Sequence, residues 1–100
     1  MSTIDAQLRF AIGGKFLVKL RYSGSFRVVE PHDYGVQKTA IRLLAYQRQS
    51  LGPKKSEQGW RLFDVAKIEE LAVLDTVFEG SRGASHQSHH VWDVVYARVG

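Results

Sequence analysis

Cysteine is absent from this 100-residue chain, proline occurs twice and methionine once. Without a thiol there is no disulfide, no cysteine nucleophile and no cysteine-ligated zinc, which is compatible with a reducing cytosol. No run approaches the roughly 18 apolar residues that a membrane helix needs, and the first 15 residues lack the apolar centre of a signal peptide. The expectation is a soluble cytoplasmic protein with no membrane partner and no cofactor, and the opening methionine is read as the start of a whole protein. Catalytic signatures are missing as well. There is no glycine-rich phosphate loop ahead of a helix, no nucleophile elbow and no close acidic pair, so an enzyme is not expected.

What is present suits one folded domain spanning 1–100, since 44% of residues are hydrophobic and 24% charged. The net charge of +4 is unevenly spread: residues 1–61 hold eleven Lys or Arg against four Asp or Glu, and residues 62–100 hold three against six. A basic excess on part of a sheet attracts phosphates and other anions over long range. Basic side chains also protect sheet edges, which is the plainer use of the same charge.

Periodicity divides the chain into a short helix and five strands. Ser2 or Thr3 can cap a helix over 1–14, with Asp5 in its first turn, Ile4, Leu8 and Ile12 at four-residue spacing and Gly13-Gly14 as the stop. Lys15 to Tyr22 alternates as a half-buried strand, and Ser23-Gly24 turns into a second strand, Phe26 to Glu30, predicted to end at Pro31 or to lie at a sheet edge there. A third strand is predicted from Val36 or Thr39 to Gln47. Arg48 to Gly59 reads as an exposed loop in which Lys54 and Lys55 are solvated. Trp60 to Val65 is the fourth strand, Ala66 to Leu71 has the propensity for one helical turn, and Thr76 to Phe78 closes the core unit of 15–78. Residues 80–88 read as a Gly- and Ser-rich linker. His89 to Val99 is the last strand, with two partly apolar faces that suggest cover on both sides. This pattern predicts a mainly β fold, a small, strongly bent, five-stranded antiparallel barrel whose closure removes exposed edges.

Four segments, in order and spacing, carry a family resemblance: Leu8 to Tyr22, Arg27-Val28-Val29-Glu30-Pro31, Ile41-Arg42-Leu43-Leu44-Ala45-Tyr46, and Trp60-Arg61-Leu62-Phe63 leading to Lys67-Ile68. Together they resemble the WYL domain, whose eponymous triplet reads Ile41-Arg42-Leu43 here. The resemblance implies an Sm-like barrel with a basic and aromatic groove that binds ligands, nucleic acid among them, and it sets Arg27 and Arg61 at matching positions. Such domains usually follow a helix-turn-helix and tune transcription. These 100 residues leave no room for one, so the expectation is action through a separate DNA-binding partner, directly on nucleic acid, or as a fragment of a longer regulator.

The candidate ligand-binding residues are Arg27, Arg42 and Arg61, one on each of three strands and each between apolar neighbours. A guanidinium held there can grip a carboxylate or phosphate through two parallel hydrogen bonds. Tyr34, Tyr46 and Trp60 are the aromatic candidates for stacking bases, and core packing is the alternative use of each. His86, His89 and His90 with His32 and Asp93 do not have a metal site's spacing on one element, so the histidines are read as a polar loop that gains charge near pH 6. Asp33 beside His32 is assigned to a turn. The function expected is recognition of an anionic small molecule, a nucleotide or single-stranded nucleic acid. The alternative is self-association, as a homo-oligomer or with a protein partner, through the final strand.

Overall fold

The computed structural model describes residues 3–51, 58–82 and 91–100. Thr3 opens helix α1 (Ile4–Gly14), its hydroxyl accepting the Ala6 N–H at 3.1 Å. Leu8, Ala11 and Ile12 form its buried stripe, and Lys15, at φ 58°, turns the chain out of the helix. Six strands follow: β1 (Phe16–Tyr22), β2 (Ser25–Gln37), β3 (Ala40–Leu51), β4 (Gly59–Asp64), β5 (Ile68–Val77) and β6 (Val94–Arg98). A single 3₁₀ turn, Val65–Lys67, joins β4 to β5. All ladders are antiparallel in the order β4-β3-β2-β1-β5, with β6 beside β2. This is the mainly β, antiparallel architecture with a leading helix that alternation predicts, with six strands rather than five. Among the described residues β4 and β5 share no ladder; the 3₁₀ turn rounds that corner, where the Asp64 N–H donates to the Tyr22 hydroxyl at 3.2 Å. No described helix is long and apolar enough to cross a membrane.

Two tight hairpins set the register. Ser23-Gly24 (φ 52° and 77°) joins β1 to β2, and Lys38-Thr39 (φ 49° and 67°) joins β2 to β3; positive φ at both positions matches the strands' twist. Lys38 and Thr39 hold that conformation without glycine because Asp93 braces the turn. Its carboxylate accepts the Lys38 N–H at 3.0 Å and its own N–H donates to the Val36 carbonyl at 2.8 Å.

Strand β2 does not end at Pro31. Its first half pairs with β1 as far as Val29, and its second half, from Asp33, pairs with β6. Pro31 falls between these partners, where its missing donor breaks no ladder. On the β3 side a bulge between Pro31 and Asp33 leaves His32 as the extra residue. Asp33 therefore lies in a strand rather than a turn, buried, with Oδ1 accepting the Arg98 Nε–H at 3.0 Å. Gly35 permits β6 to approach, since a Cβ there would overlap the Val94 carbonyl.

Other boundaries also move. The helical turn expected over Ala66 to Leu71 shrinks to Val65–Lys67, because Ile68 and Leu71 pair with Tyr22 and Leu20 in β5 and tertiary pairing overrides the helix propensity of Glu69 and Glu70. Strand β3 runs on to Leu51, into the expected loop, of which 52–57 lies outside the described residues. The last strand begins at Val94, not His89, and is not covered on both sides: Val94 and Val95 are 49% and 41% exposed. Gly80 to Arg82 are irregular as expected of a linker, and 83–88 lies outside the described residues.

Residues paired across the ladders share a face. On the inner face Val18, Leu20, Val29, Leu43, Ala45 and Phe63 meet the buried stripe of α1. Glu30, Tyr46 and Trp60 fall on the outer face.

Candidate functional site

Alternation sends Arg27 and Arg61 to the inner face, with Gln47 between them. Arg27 lies opposite Leu20, Gln47 opposite Val29 and Gly59, and Arg61 opposite Ala45. The Arg27 Nη1 donates to Gln47 Oε1 at 3.3 Å. The Arg61 guanidinium rests against Gly59, where a Cβ would lie 3.2 Å from Nη1, and it donates to the Trp60 carbonyl at 2.9 Å. Thus the two guanidiniums flank one buried amide, and their strands are the three that run side by side as β2, β3 and β4.

The walls around Arg27 are aromatic. Its guanidinium carbon is 5.6 Å from the Tyr22 ring centre and 5.8 Å from that of Phe63, and those rings meet edge-on at 5.0 Å. Arg9, Arg21, Arg48, Arg82 and Arg98 each have a carboxylate within ion-pair distance. Arg27 has none among the described residues, and its Nε is buried without a hydrogen-bond partner. Leaving such a donor unmatched costs roughly 1–3 kcal/mol. Arg27 is thus a half-buried cation with no carboxylate partner among the described residues, set beside two aromatic rings.

Arg42 is elsewhere. It stands on the outer face opposite Gly35 and Asp64, half-buried, and its Nε also lacks a hydrogen-bond partner. Tyr34 is buried on the inner face under α1, and its hydroxyl donates to Asp5 at 2.7 Å. That bond, with the neighbouring Arg9, holds the Asp5 carboxyl below its ordinary value, while burial and the same bond push Tyr34 upward. Tyr46 and Trp60 meet edge-on at 5.4 Å on the outer face, across the sheet from Arg27 and Arg61. The six candidates are therefore divided between two faces.

The outer face has its own constellation, most of it unmarked by the sequence reading. Glu30 is only 4% exposed, yet it takes both oxygens of its carboxylate to Arg82, at 2.8 Å each, with Arg48 3.7 Å away. Arg82 also lies over the Tyr46 ring at 3.7 Å. The carboxylate raises the Arg82 pKa further. Beside them opens a cleft of about 840 Å³, walled by Val77, Phe78 and Gly80 as well as Glu30, Arg48 and Arg82.

His32 supports this face from beneath. Fully buried, it packs edge-on against Trp60 at 4.7 Å and beside Phe78 at 5.5 Å, with its Nδ1–H donating to the Glu30 carbonyl at 2.8 Å. Burial holds its pKa below the ordinary 6.5, against the raising effect of that carbonyl and the nearby carboxylates. Between the depressed value and 6.5 the unfolded chain binds the extra proton. The stability His32 contributes is therefore complete above pH 6.5 and lost as pH falls through the folded value. We expect the urea midpoint to drop between pH 7 and pH 5, and the His32 ring protons to titrate below 6.5 by NMR; a value at or above 6.5 would contradict this environment. His86, His89 and His90 lie outside the described residues.

Fold and site together define a small mainly β protein built on one antiparallel sheet, with Arg27 and Arg61 on one face and a carboxylate-guanidinium pair on the other. Comparisons with family models, curated proteins and solved structures found no match for the chain.

Proposed function

We propose that this chain is a non-enzymatic binding module, WYL-like in kind, that senses an anionic phosphate-bearing ligand through Arg27 and Arg61. The ligand class is a nucleotide or single-stranded nucleic acid, and the setting that the family resemblance suggests is control of transcription. The observation that carries the reading is Arg27: a half-buried guanidinium between two rings, with no carboxylate partner among the described residues. Half-buried Tyr22 beside it supplies a face of the kind on which bases stack, while the buried Phe63 ring backs the guanidinium from the core side. Gln47 fixes the fork of Arg27, so that less rotamer freedom is lost on binding. The test is equilibrium binding of labelled single-stranded DNA and RNA to wild type and to the Arg27→Ala, Arg61→Ala double variant. Weaker binding with an unchanged circular dichroism spectrum is expected, and unaltered binding would sink the reading.

A second reading is self-association through β6. Among the described residues its edge away from β2 has no strand partner, and Val91, Val94 and Val95 stand exposed. If this is the function, the full chain is oligomeric in light scattering and a chain lacking 87–100 is monomeric. A monomeric full chain removes this reading.

A further inference from the structure

The outer face carries an inference that does not depend on the anion reading. Glu30 stands in β2 between two bulge residues, His32 on its own strand and Arg48 on β3, and its carboxylate is almost wholly withdrawn from water. A carboxylate buried in this way requires a matched cation. The matching is specific to one shape. Arg82 Nε and Nη2 each donate to a different Glu30 oxygen at 2.8 Å, and the flat guanidinium lies 3.7 Å from the centre of the Tyr46 ring. An ammonium can neither make the parallel pair of bonds nor stack. Trp60 braces Tyr46 edge-on, and His32 braces Trp60.

The two halves of this contact differ in kind. Glu30, Tyr46 and Trp60 belong to paired strands of the sheet. Arg82 does not: it follows β5 on the irregular segment that is tied by Phe78 N–H to the Lys15 carbonyl and by Ser81 N–H to the Gly100 carbonyl, and its side chain is 42% exposed beside the open cleft. The receptor is built into the sheet, whereas the occupant can leave into solvent without opening the core.

We propose that Glu30 and Tyr46, braced by Trp60, form a guanidinium-recognition pocket whose resident ligand is Arg82 and whose exchangeable ligand is an arginine side chain of a partner polypeptide. Arg82 then acts as an internal competitor. A partner gains access when Arg82 is displaced, and Arg48, 3.7 Å from the carboxylate, holds its charge during the exchange without reproducing the paired bonds.

The experiment vacates the pocket and refills it from solution. Full-length Arg82→Ala is melted with increasing methylguanidinium, up to about 10 mM, and in parallel with methylammonium. The expected result is a rise in Tm that grows with the logarithm of the methylguanidinium concentration and reaches about 6–11 °C at ten times its Kd. The rise is absent with methylammonium, absent in wild type, where Arg82 occupies the site, and absent in the Glu30→Gln, Arg82→Ala double variant. No rise in Arg82→Ala, or an equal rise with methylammonium or in the double variant, overturns the proposal. If Arg82→Ala does not fold, the same comparison is made on Arg82→Lys, which keeps a charge near Glu30 but cannot form the fork, with the same outcomes deciding.

Discussion

Phe63→Ala is expected to cost about 3–5 kcal/mol, the range for truncating a buried aromatic ring. Phe63 is 1% exposed, sits opposite the fully buried Leu43, and meets Tyr22 edge-on at 5.0 Å, so the space it leaves is bounded by β-strands that cannot easily collapse. A domain of this size has a total stability of roughly 5–15 kcal/mol, so one substitution removes about a fifth of it or more. Urea denaturation checks this: the midpoint should fall sharply at an unchanged m value. Because the same ring stands 5.8 Å from the Arg27 guanidinium, the surviving folded protein should also bind anions more weakly. A loss below about 1 kcal/mol would mean that Phe63 does not fill the inner core as described.

Arg27→Leu separates a binding role from a structural one. Leucine keeps an apolar stem between Tyr22 and Phe63 while removing a buried donor that has no hydrogen-bond partner. Stability should therefore hold or rise, as it does when a site that is strained for function is relieved. Anion binding should fall at least about tenfold, the equivalent of one lost charge-assisted hydrogen bond. Arg27→Lys should not restore it, because the ammonium cannot present a planar fork between two rings. A destabilisation of more than about 1 kcal/mol with binding intact would assign Arg27 to the fold instead.

The strand pattern was legible because alternation in β1, β3 and β4 is strong and the Ser23-Gly24 turn is local. Within a strand it also separates neighbours correctly: Arg61 and Trp60 point to opposite sides, as do Arg42 and Leu43. What alternation cannot supply is which side of one strand lines up with which side of the next. That depends on register, and the bulges at His32 and Arg48 shift it twice along β2 and β3. Tyr46 falls on the side away from Arg27 through that register, whereas Trp60, next to Arg61 on the same strand, is separated from it by alternation alone. Pro31 lies at a local edge, between the β1 and β6 ladders, and β2 continues past it because of a pairing with β6 between residues some 60 positions apart, which no local rule supplies. The outer pocket was missed although one signal existed: Glu30 ends an apolar run at Pro31, and a carboxylate placed there needs a cation. No local rule points to Arg82, which arrives from 52 residues away.

The central claim is that the inner-face arginines form a phosphate receptor. Its most direct test is fluorescence anisotropy of the purified chain with labelled single-stranded DNA and RNA at two salt concentrations. Binding is expected to weaken steeply with salt, with a log–log slope that becomes shallower by about 1.4 in the Arg27→Ala, Arg61→Ala variant, corresponding to two lost phosphate contacts on a single strand. Absence of binding at low salt, or a slope that the double variant leaves unchanged, would contradict it.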